Sequence, residues 1–112
     1  AHFYYLREQA ELNGRMYQQA LDDIDKAISL EADAPLYHLE RAALMLRVGE
    51  NEEALRSAQQ AQKLSPDNAD AYLLAGIAFG ELGQKAQALE ALSSAKAKGS
   101  TDAEAYIGQY SK

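Results

Sequence analysis

Apolar residues recur along this chain three and four positions apart, the spacing of one helical face, and nowhere in the sustained alternation of a half-buried strand. Leu21, Ile24 and Ile28 make one such stripe, Leu36, Leu39, Ala43 and Leu46 a second, and Leu73, Ile77 and Gly80 a third. Breakers separate them: Asn13-Gly14, Pro35, Gly49, Ser65-Pro66, Gly83 and Gly99-Ser100. The pattern predicts helices at about residues 3–13, 17–31, 35–48, 51–64, 69–82, 85–98 and 102–110. Asp67 or Asn68, and the stretch from Ser100 to Asp102, are candidate N-caps whose side-chain oxygens can take up unbonded backbone N–H groups.

The stripes repeat. Gly49 and Gly83 stand 34 residues apart, as do Ala42 and Gly76, Ala54 and Ala88, Leu55 and Leu89, and Ala61 and Ala95. One step back, Ala20 maps to Ala54, Leu21 to Leu55 and Ala27 to Ala61; one step forward, Tyr72 maps to Tyr106. A fixed period of this length marks an array of helical hairpins. Ala42 and Gly76 fall where the first helix of a pair must come close to the second. Ala20, Ala54 and Ala88 are the matching small residues on the second helices. A glycine inside a helix gives up about 1 kcal/mol against alanine, so Gly76 is expected to be kept for close approach.

These residues resemble the tetratricopeptide repeat (TPR), a 34-residue helix–turn–helix with an aromatic, Leu-Gly, a second aromatic, then Ala-x3-Phe and Pro. The best match runs Tyr72-x2-Ala75-Gly76-x2-Phe79, then Ala88-x3-Leu92 and Ala95. A second runs His38-x2-Arg41-Ala42-x2-Met45, then Ala54-x3-Ala58, Ala61 and Pro66. A third, starting at Tyr4 and Arg7, is less regular: Glu8 takes a small-residue position and Gly14 comes one residue early. The resemblance implies an all-α fold, a right-handed superhelical solenoid of about three repeats (residues 1–34, 35–68 and 69–102). Residues 103–112 would be a partial fourth repeat or a capping helix.

Composition narrows the function. Hydrophobic residues at 47% and charged residues at 25% suit a folded domain. With 17 Asp plus Glu against 11 Lys plus Arg, the net charge of −6 disfavours nucleic acid and anionic membrane surfaces. No apolar run approaches the ~20 residues that span a bilayer, so no membrane insertion is expected. The first residue is Ala rather than Met, so the chain is expected to be processed or cut from something longer.

Chemistry is sparse. There is no cysteine, and the histidines are His2 and His38, so no zinc site of ordinary ligands is expected. His38 stands where its repeat calls for an aromatic and reads as a packing residue. Asp22, Asp23 and Asp25 share a turn with the apolar Leu21, Ile24 and Ile28, so they read as a solvated face rather than a calcium loop. No serine has a histidine partner and no glycine-rich loop follows a strand. The chain is expected to be no enzyme and to use no cofactor.

What remains is surface. In the resembled family the first helices line a concave groove. The second apolar stripe on these helices would then form an apolar peptide-binding groove: Tyr5, Gln9, Leu36, Leu39, Ala43, Leu46, Leu73, Ile77 and Ile107, with Arg47, Asp70 and Glu81 nearby. One branch of the family clamps the C-terminal carboxylate of heat-shock chaperones with Lys, Arg and Asn. The matching positions Tyr5, Gln9, Leu39, Ala43, Leu73 and Ile77 offer none of these. The expected function is a non-catalytic protein–protein interaction module for a peptide or helix of a partner protein. The alternative is a structural spacer or self-association array, in which Leu39 and Leu73 pack only between repeats. Tyr106, Ile107 and Tyr110, with no helix after them, suggest an exposed cluster and a weak homodimer through the C-terminal helix.

Overall fold

A computed structural model describes residues 14–111, with side chains from residue 18 onward. The expected helix at 3–13 and the groove positions Tyr5 and Gln9 lie outside the described residues. Six helices follow in order: α1 (Gly14–Leu30), α2 (Pro35–Val48), α3 (Asn51–Leu64), α4 (Ala69–Glu81), α5 (Lys85–Ala97) and α6 (Ala103–Tyr110). The bounds of α2 and α3 are those the breakers predict. The largest difference is at α1, which starts at Gly14 rather than near residue 17. The first N–H groups of any helix lack intrahelical partners, so glycine there forfeits less than in a helix interior.

The helix ends repeat with the sequence. Gly49 and Gly83 both adopt left-handed φ angles, 84° and 82°. These let the next N–H groups turn back: Glu50 donates to the Met45 carbonyl and Gln84 to the Phe79 carbonyl, each at 2.9 Å. A side chain would strain at such an angle, which explains glycine at both sites. Pro35 opens α2, where its missing N–H is harmless. Asn68 caps α4, its side-chain oxygen accepting from the Asp70 N–H at 2.9 Å. Asp102 stands at the N-cap of α6 without a side-chain cap bond.

Short turns fold α2 back on α3 and α4 back on α5. The hairpins stack through α3 against α4 and α5 against α6, while α2 touches α4 and α4 touches α6. The first helices thus form a continuous row, and the chain is an all-α right-handed superhelical solenoid. Gly76 sits at the crossing of α4 and α5. A Cβ placed on it would lie 2.7 Å from Leu92 Cγ and 3.3 Å from the Ala88 carbonyl oxygen. Leu92 is fully buried there, so the glycine is the hole that receives it. The equivalent pair in the other hairpin is Ala42 with Ala58, both fully buried in one cluster. Glycine opposite leucine and alanine opposite alanine are two ways to close-pack a crossing around a small residue on the first helix.

Candidate functional site

Helix α4 is walled on three sides. Ala71, Leu74 and Ala75 share a buried cluster with Leu39 and Ala42 of α2 and with Ala58 and Ala61 of α3. Gly76 faces α5 through Leu92, and Gly80 faces α6 through Tyr110. The exposed residues of the helix are Asp70 and Glu81; between them on one line, seven and four residues away, Ile77 is half-buried and packs against the cluster of Leu73 and Leu92. Thirty-four residues earlier the same line on α2 carries Leu36, Ala43 and Arg47. Leu36 is 48% exposed and Ala43 only 8%.

The residues nominated from sequence therefore divide. Leu39 keeps 2% of its surface and Leu73 9%. Leu39 is covered by Ala71, Leu74 and Ala75 of the next first helix, and Leu73 shares a cluster with Ala103 and Tyr110 of α6. Both belong to the packing between hairpins. Leu46, Ile77 and Ile107 are half-buried. Leu39 and Leu73 point at the neighbouring helix in the row, which removes them from water, whereas Leu36, a side chain of the same size, stays 48% exposed. The open face lies about 60° around the helix, since three residues advance it by about 300°.

Tyr110 corrects a second expectation. It is buried, not left uncovered at the end of the array. Its ring seats on Gly80, where an added Cβ would collide with the ring atoms. Its hydroxyl donates to Glu81 Oε1 at 3.3 Å. Burial, then the Glu81 charge and the bond to it, push the phenol up from its ordinary 10.0 to about 12. The available signal was a glycine amid large residues of an apolar stripe, which marks a receiving hole. Tyr106 and Ile107 are half-buried.

The polar residues mostly serve the scaffold. Arg41 ties three helices: Nε meets Asp25 Oδ1 of α1 at 3.1 Å, Nη1 donates to Ser57 Oγ of α3 at 2.7 Å, and Nη2 reaches Glu53 Oε2 at 3.4 Å. Asp25 is thus recruited from the face read as wholly solvated, while Asp22 and Asp23 stay exposed. The buried His38 is bonded through Nε2 to the Ala32 carbonyl at 2.8 Å, fastening the turn before α2. The Lys98 ammonium lies 5.0 Å from the Tyr72 ring centre, within cation–π range. Among the described residues no helix is long and apolar enough to cross a membrane.

This geometry has counterparts among known proteins. A family profile described as TPR repeat matches residues 46–83. The small glutamine-rich tetratricopeptide repeat-containing protein 2 of Mycosarcoma maydis is 32% identical over 80 residues, which takes in 71% of this chain. The aligned stretch spans only 23% of that relative. Among solved structures, the Sgt2 TPR domain from Aspergillus fumigatus superposes with a TM-score of 0.83 at 22% identity, over 98% of this chain and 77% of its own. The first TPR of Spaghetti (RPAP3), solved with the HSP90 peptide SRMEEVD, gives 0.81 at 18% identity, over 97% of this chain and 90% of its own. At those identities the two structures speak for the fold. The profile match and the 32%-identical relative, with the period of 34 and the small residues at the hairpin crossings, show that the chain belongs to the tetratricopeptide-repeat family.

Proposed function

We propose that this chain is a non-catalytic protein–protein interaction module whose partner segment lies across the row formed by α2, α4 and α6. The observation that carries the reading is the remaining side of α4: a helix enclosed on three sides leaves Asp70 and Glu81 exposed with the half-buried Ile77 between them, and α2 continues that face with the exposed Leu36. The contact surface is Leu36, Leu46, Ile77 and Ile107, with Leu39, Ala43 and Leu73 beneath it as support. Tyr5 and Gln9 would extend it on the preceding first helix. A fold neighbour was solved with a peptide bound, which supports the reading by analogy of fold alone. Recognition of a peptide or helix in a groove lined by apolar anchors is its physical basis.

The test is selection of twelve-residue peptides from a displayed random library, followed by titration of the winners against two variants of equal charge change. Leu36→Glu, on the exposed first-helix face, is expected to weaken them at least tenfold. Gln59→Glu, on the exposed side of α3, is expected to change them less than twofold. The reverse pattern, or a library that yields no binder, overturns the reading.

A further inference from the structure

The first-helix face is not uniform in charge. At its α2 end the exposed Leu36 and half-buried Leu46 are accompanied by Arg47, while at its α4 end half-buried Ile77 stands between Asp70 and Glu81. Along the helix axis the two acids lie about 10 Å before and about 6 Å after Ile77, taking a rise of about 1.5 Å per residue. Glu81 is also oriented. The buried Tyr110, seated on Gly80, donates its hydroxyl to Glu81 Oε1, which fixes the carboxylate beside the open face while leaving it exposed. Glu104, the 34-residue equivalent of Asp70 on α6, is engaged by Lys96 at 2.7 Å and is not needed for the site. The chain as a whole carries −6.

We infer that the occupant of this face is a basic segment of a partner protein: an apolar side chain set on Ile77, flanked on both sides by Lys or Arg that meet Asp70 and Glu81. Such a segment matches the face in charge and in the order cation, apolar, cation. Complementary charge of this kind raises the association rate and rejects like-charged competitors. An acidic peptide such as SRMEEVD would meet two carboxylates where it needs cations. The inference rests on the proposed function and names the partner chemistry of the same face.

The selected peptides themselves decide it. Lys and Arg are expected to be enriched over the unselected library on both sides of an apolar position. The double variant Asp70→Asn with Glu81→Gln is expected to weaken the selected peptides at least tenfold and to flatten their salt dependence. The amide oxygen that Glu81→Gln leaves in place still accepts from Tyr110, so an unchanged melting temperature shows that the scaffold survives. The matched control, Asp22→Asn with Asp23→Asn on α1, removes the same charge and is expected to cost less than twofold. Neutral or acidic winners that still respond to Leu36→Glu overturn the charge preference and leave the interaction reading standing. Equal loss in both double variants reduces the effect to bulk charge and overturns it as well. A library without binders removes both.

Discussion

The two hairpins α2–α3 and α4–α5 are built on one template and held by different chemistry. At positions 34 residues apart, Arg41, Ser57 and Glu53 of the first are answered by Ala75, Ala91 and Gln87 of the second. The first hairpin fills its crossing with Ala42 and Ala58 and adds an arginine bonded to three partners. The second gives up one side chain at Gly76 so that Leu92 can be buried whole. The repeat thus keeps a small residue on the first helix at each crossing, while the residue opposite it varies from alanine to leucine. Polar ties are an option that only one hairpin takes.

The contrast between the crossings is broken or sharpened most strongly at Leu92. Leu92→Ala is expected to lose about 2–5 kcal/mol, the usual cost of a leucine-sized cavity, read by denaturant unfolding. Adding Gly76→Ala to it rebuilds the alanine pair of the other hairpin and is expected to recover part of that loss. Gly76→Ala alone, which drives a Cβ into Leu92, is expected to destabilise. A double variant no better than Leu92→Ala would show that the crossings are not equivalent.

The next effect in size concerns the end of the second hairpin. Tyr110→Ala empties the hole above Gly80 and is expected to cost about 1.5–3 kcal/mol, with amide exchange rising first in α6. A milder version uses pH. The folded phenol titrates at about 12 against an ordinary 10.0, so folding favours the neutral form. That stabilisation is complete below about pH 10 and is lost as the pH climbs through about 12. Tyr110→Phe is expected to remove this alkaline loss while changing the melting temperature little at pH 7.

The smallest effect is expected where the bonds look most numerous. Asp25 and Glu53 are 50% and 36% exposed, and such pairs contribute about 0–1 kcal/mol. Arg41→Leu with Ser57→Ala, which copies the apolar pattern of the other hairpin, is expected to shift stability by under about 1 kcal/mol and to reduce its salt dependence. Ser57 must change too, because it is buried and loses its donor when Arg41 goes. A loss of several kcal/mol in the double variant would show that the arginine has no apolar equivalent.

The fold was legible because its determinants are local and repeated. Gly49 and Gly83 mark turns by their backbone angle, and Ala42 and Gly76 mark crossings by their size, whatever surrounds them. The face was harder to read, because which side of a helix stays open depends on how many neighbours cover it. Leu36 and Leu39 differ by three positions and a small rotation, and hydropathy ranks them alike; only the presence of α4 against α2 buries one and leaves the other. Tyr110 was missed for a related reason. The 34-residue offset assigns it to the place of Gly76, at a crossing with a following helix, whereas its ring turns back onto Gly80.

The turns at Gly49 and Gly83 also govern how the molecule assembles in time. Among the described residues, no helix touches another more than two elements away in the chain. Contacts are therefore close in sequence, little chain entropy is lost before they form, and such topologies fold in microseconds to milliseconds. A ribosome making this chain would release each hairpin as soon as its second helix emerged, with nothing distant to wait for. Each newly formed hairpin would then offer the next one a finished surface on which to grow.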